Sequence, residues 1–135
     1  MPCLDANIIL RYVLDDHAEL SPKAKIIIGE SDIETPREIL CEVVYILARI
    51  YKINRKDIAD TLLDFFSSTN CNLPHREAII KAIEYYGVKN LDFVDCILAG
   101  YLKTENTSIC SFDEKLEKVL LSISKELNES YEQNN

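Results

Sequence analysis

At 135 residues, 47% of them hydrophobic, the chain is long enough for one sizeable core and too short for two ordinary domains. Three glycines and four prolines exclude a low-complexity linker, and no apolar run approaches the roughly 20 residues that span a bilayer. A formal net charge of −8 excludes a protein that grips nucleic acid by bulk electrostatics, so any such contact must be local.

The elements alternate along the chain. Pro2 to Leu4 is a brief strand, and Ala6 through Leu14 carries apolar residues at helical spacing. Ser21-Pro22, a cap residue followed by a first-turn proline, opens a second helix that ends near Ser31. Asp32-Ile33-Glu34 reads as a strand, and Thr35-Pro36-Arg37-Glu38 joins a capping box to a first-turn proline. The apolar stripe of this third helix runs Ile39, Val43, Ile46, Leu47, Ile50, which puts Glu42 at its edge, half-buried. A helix over Asn54 to Phe66 is closed by Ser67-Ser68-Thr69-Asn70, and Cys71-Asn72-Leu73 is a short strand. The next helix, Arg76 to Tyr86, ends at Gly87, where a C-terminal cap favours glycine. Asp92 starts a helix that is apolar around much of its circumference, Thr107 to Cys110 reads as a strand, and Ser111-Phe112-Asp113-Glu114 resembles a capping box before Leu116. Residues 1–127 thus form a single α/β domain with a parallel sheet covered by helices, followed by a polar, frayed tail at 128–135.

Five scattered cysteines lack the paired spacing of a zinc site and read as reduced and mostly buried. His17 and His75 read as surface or loop-edge residues. Met1 leads into Pro2-Cys3-Leu4 without the basic and long apolar regions of a secretory signal, so a cytoplasmic protein is expected.

Four carboxylates, Asp5, Glu42, Asp95 and Asp113, lie far apart in sequence, each at or near a junction where a short apolar run meets a helical pattern. Gathered at a few ångströms in an effective dielectric near 20, each pair would repel by about 2–4 kcal/mol, so such a cluster requires protons or metal ions. Each acid also has a structural reading. Asp92 is most simply an N-cap, Asp95 faces the positive end of the same helix, Asp113 can cap the last helix, and Asp5 with Asn7 can form a turn or cap pair. Glu42 is harder to explain that way, since no basic residue stands three or four positions from it.

The segments Leu4-Asp5-Ala6-Asn7-Ile8-Ile9-Leu10, Leu40-Cys41-Glu42-Val43-Val44-Tyr45-Ile46-Leu47, Leu91-Asp92-Phe93-Val94-Asp95-Cys96-Ile97-Leu98-Ala99 and Ser111-Phe112-Asp113 resemble, in order and spacing, the motifs of PIN-domain nucleases, particularly the VapC-type toxins. The resemblance covers Leu4 to about Leu121. It implies a three-layer α/β/α sandwich with a central parallel sheet, and a pocket where Asp5, Glu42, Asp95 and Asp113 are catalytic and bind Mg²⁺ or Mn²⁺. Asn7 and Ser111 would be polar supports, with Asp92 a further member of variable position. Hard oxygen donors suit these ions, whose charge would activate water and stabilise the phosphodiester transition state during hydrolysis of RNA. The resemblance further implies a homodimeric toxin of a toxin–antitoxin pair, with RNA as substrate and a cognate antitoxin as partner. Arg11, Arg37, Arg49, Arg55 and Arg76 are the available phosphate contacts. A noncatalytic PIN-like protein-interaction module is the alternative. A phosphotransfer receiver is disfavoured because no lysine stands after a late strand to meet a phosphoryl group.

Overall fold

The computed structural model describes residues 2–30 and 32–133. Its contacts divide into two compact units, the first reaching Arg76 and the second starting at Glu77.

In the first unit, β1 (Ile33–Glu34) and β2 (Cys71–Asn72) pair in parallel, Ile33 opposite Cys71 and Glu34 opposite Asn72. Cys3 forms a parallel bridge to Glu34, so three chain segments lie side by side with β1 between the other two. The bonds Glu34 N–H to Pro2 O, Leu4 N–H to Glu34 O and Thr35 N–H to Asn72 O, 2.8–3.0 Å long, hold this minimal sheet together. Asp5 and Thr35 therefore follow the carboxyl ends of neighbouring parallel segments.

Between these segments run α1 (Ala6–Leu14), α2 (Leu20–Gly29), α3 (Arg37–Arg49) and α4 (Arg55–Ser68). α1 packs on α2 and α3, and α3 on α4. The core holds Ile9, Leu10, Leu40, Leu47, Leu62 and Phe65, with Phe65 edge-on to both Tyr12 and Phe66 at centroid separations of 5.3 and 5.0 Å. Asn54 caps α4 by accepting the Asp57 N–H at 2.9 Å, while the Ser67, Ser68 and Thr69 hydroxyls donate back to the last-turn carbonyls of Asp64 and Phe65.

Two predicted caps give way to other solutions. Ser21 lies inside α2, and it is the His17 Nδ1 that accepts N–H bonds from Leu20 (2.9 Å) and Glu19 (3.3 Å). The imidazole nitrogen does the work expected of a hydroxyl. At α3 the N-cap is Pro36, without a side-chain cap bond, and the Thr35 hydroxyl is fully buried with no hydrogen-bond partner among the described residues. The expected end of the second helix near Ser31 lies outside the described residues.

The second unit holds α5 (Arg76–Val88) from its second residue onward, α6 (Phe93–Glu105) and α7 (Glu114–Gln133), with α6 packed on α7. α5 runs through Gly87 rather than stopping there, and none of the described glycines has a positive φ. α6 ends in a left-handed cap at Asn106, φ 52°, whose N–H bonds to Tyr101 O. α6 approaches α5 closely at Gly100, where a Cβ would collide with the Ala78 carbonyl oxygen. Tyr86 stands edge-on to Phe93 at 5.7 Å.

The strand predicted over Thr107 to Cys110 is absent. The Thr107 N–H bonds to Tyr101 O, finishing the helix terminus, and no described strand pairs with the segment. It borders an apolar groove of about 530 Å³ lined by Leu102, Ile109, Phe112, Leu120 and Leu121. The polar stretch 128–133 is helical, as the end of α7. Met1 and the last two residues of the predicted tail lie outside the described residues. No described helix is long and apolar enough to cross a membrane.

Candidate acidic site

In the first unit the extended backbone at Asp5 (φ −80°, ψ 158°) turns the chain into α1. The Asp5 carboxylate accepts the Ala6 N–H at 2.8 Å, so the acid is a helix cap and remains exposed. Asn7, in the first turn of α1, is exposed too.

Glu42 is exposed rather than half-buried. The buried face of α3 is Leu40, Val43, Val44 and Leu47, rotated away from the Ile39, Ile46 and Ile50 of the predicted stripe. At about 100° per residue that rotation sets Glu42 nearly opposite the core, on a stripe with Glu38, Tyr45 and Arg49. β-branched residues at the stripe's edge made the apolar arc look centred elsewhere. Beside it, the half-buried Cys41 thiol is pushed up by desolvation and by Glu38, against an opposing pull from Arg37. A thiol held protonated is a poor nucleophile. Of the other cysteines, Cys71 and Cys96 are buried and Cys3 and Cys110 exposed, so fewer are buried than expected.

The second unit brings three acids into electrostatic contact. Asp92 is the N-cap residue of α6 (φ −58°, ψ 151°), yet its side chain makes no cap bond, contrary to the simplest reading of that position. Asp95 lies in the first turn of the same helix, partly buried, and its carboxyl is pushed above the ordinary range by desolvation first, then by Asp92 and Asp113. Asp113 caps α7, its Oδ1 accepting the Leu116 N–H at 2.8 Å. Its backbone N–H donates to Ser111 Oγ at 3.0 Å, so the predicted polar support orients the turn that carries the acid. A helix cap satisfies one carboxylate oxygen with a backbone donor and fixes the side chain for other partners.

Together these acids are a hard-oxygen donor set with negative charge held at the cost of a perturbed titration, which is chemistry that fits a divalent ion. Among the described residues, no group of three or more His, Cys, Asp or Glu is already arranged to hold one.

Comparison with known families supplies the broader context. The PIN domain model matches residues 3–120. The chain belongs to the PIN domain family. PIN domains have a mixed α/β fold and are generally nucleases that use divalent metal ions, often within toxin–antitoxin systems. No curated protein and no solved structure matches the chain. Within the matched span fall all seven of Asp5, Asn7, Glu42, Asp92, Asp95, Ser111 and Asp113.

Proposed function

We propose that this PIN domain is a divalent-metal-dependent endoribonuclease that holds Mg²⁺ or Mn²⁺ on Asp5, Glu42, Asp95 and Asp113, with Asp92, Asn7 and Ser111 in support. The observation that carries this reading is the trio in the second unit, where desolvation first, and then Asp92 and Asp113, raise the Asp95 titration and no cap bond consumes Asp92. An acid spent on the start of α6 would be bonded to a backbone donor there, and Asp92 is not. When bound, the ion supplies charge that stabilises the phosphoryl oxygens and makes water a better nucleophile. The chain's own contribution is to hold oxygen donors in place: the Ala6 N–H fixes Asp5, and the Leu116 N–H with Ser111 fixes Asp113. Asp95, already destabilised as an anion, gains most from a neighbouring cation.

The finer parts of the proposal follow the same likeness: a three-layer α/β/α arrangement, a cytoplasmic homodimer, and the toxin half of a toxin–antitoxin pair silenced by a cognate antitoxin. The test is cleavage of structured RNAs by purified protein with Mn²⁺ or with chelator, beside Asp5→Asn and Asp95→Asn. Cleavage that needs the ion and disappears in both variants supports the enzyme. A wild type that binds the ion yet cleaves nothing is a noncatalytic interaction module.

A further inference from the structure

The solvent face of α3 bears a graded stripe: Glu38 and Glu42, then Tyr45, then Arg49. At about 100° per residue, Tyr45 and Arg49 lie within roughly 60° of Glu42 around the helix, and at 1.5 Å per residue they stand about 4.5 and 10.5 Å farther along its axis. Tyr45 is 62% exposed. Neither residue has a ring contact, hydrogen bond or ion pair among the described residues, whereas Arg11 is committed to Asp16 at 2.9 Å and to the Tyr51 hydroxyl at 2.7 Å.

We propose that Tyr45 and Arg49 form a subsite for single-stranded RNA, the ring stacking one base and the guanidinium taking a phosphate two turns beyond Glu42. The proposal rests on the nuclease reading above and assigns the direction in which substrate leaves the acidic residues. An exposed aromatic face stacks any base, and a nearby cation holds the backbone without base readout. The order along the stripe suits a polyanion that extends past the acids: Arg49 attracts a phosphate at the far end, and the neutral ring lies between it and Glu42. This local cation also meets the requirement set by a chain of net charge −8. A second protein surface would call for contiguous apolar area, but near this end of α3 the exposed Ile50 projects about 140° around the helix from Tyr45, and Tyr51 lies past the helix with its hydroxyl taken by Arg11.

The experiment is fluorescence anisotropy of a short labelled single-stranded oligouridylate with the full chain in Ca²⁺, which occupies oxygen-ligand sites. Tyr45→Ala is expected to weaken binding about 5- to 100-fold and Tyr45→Phe to retain it, because stacking needs the ring and not the hydroxyl. Arg49→Ala should weaken binding and flatten the log–log salt dependence by roughly 0.7. Both positions face solvent, so melting temperatures should stay near wild type, separating binding loss from unfolding. Wild-type affinity in Tyr45→Ala overturns the proposal, as does a wild type that does not bind the RNA, or a Tyr45→Ala variant whose only change is in oligomeric state. Binding that depends on Tyr45 without Mn²⁺-dependent cleavage leaves the subsite standing and removes the nuclease.

Discussion

Asp95 shows how a single side chain trades stability for chemistry. Its carboxyl titrates above the ordinary aspartate value of 3.8, chiefly through desolvation and then through Asp92 and Asp113. The folded protein therefore holds this proton more tightly than the unfolded chain does. Its stabilising contribution is complete below the ordinary value and is lost as pH rises through the raised one. At neutral pH the group is an anion in surroundings that disfavour it. Asp95→Asn keeps the shape and removes the charge, so the variant is expected to melt at a higher temperature than wild type near pH 7. That advantage should shrink to nothing as pH falls below about 4, where wild type is protonated too. Denaturation measured across this range in chelator checks it, and a variant no more stable than wild type at neutral pH refutes the account. Paired with loss of cleavage, the gain marks a residue retained for function.

At the scale of elements, the contact between α5 and α6 depends on Gly100. An added Cβ meets the Ala78 carbonyl oxygen and lies 3.2 Å from its carbon and 3.4 Å from Ala82 N, all of them backbone atoms that move only with their helix. Overpacking of this kind costs about 1–3 kcal/mol, offset by roughly 1 kcal/mol of improved helix propensity. Gly100→Ala is thus expected to lower stability by up to about 2 kcal/mol in chemical denaturation. Gly29→Ala is the matched control, since nothing lies within 4 Å of its Cβ position, and it should be neutral or mildly stabilising. Equal effects at the two sites would show that close approach is not what selects glycine at 100. The same scale explains what the sequence made legible. Helix periodicity is a strong signal, so α1 has the predicted limits of residues 6 and 14, and α4 lies within two residues of expectation. Caps are chosen by local competition that spacing alone does not reveal: His17 displaced Ser21 at the start of α2, and α5 runs on through Gly87. The segment 107–110 had strand composition, but a strand exists only where a neighbouring backbone offers its ladder. For the candidate acids, the places of Asp5, Asp92, Asp95 and Asp113 at helix starts were readable while the exposure of Glu42 was not, because Glu42 turns on a rotation of α3 by less than one residue's arc.

At the scale of the whole molecule, the excess of 23 acidic over 15 basic side chains sets the response to cations. Unspecific screening by monovalent salt would relieve this repulsion gradually and without preference among ions. A site for Mg²⁺ or Mn²⁺ behaves differently: an ion that binds only the folded state stabilises it by about 2.7 kcal/mol at a hundredfold excess over its dissociation constant. For a chain of 135 residues each kcal/mol corresponds to roughly 3–5 °C, so saturating Mn²⁺ is expected to raise the melting temperature by on the order of 10 °C. Potassium chloride matched in ionic strength should give much less. Asp95→Asn should lose most of the Mn²⁺ increment while retaining the potassium response, because it removes one donor and only one of many charges. A Mn²⁺ shift no larger than the salt control, or one undiminished in Asp95→Asn, would mean that the acids respond as a diffuse charge and that Asp95 holds no ion.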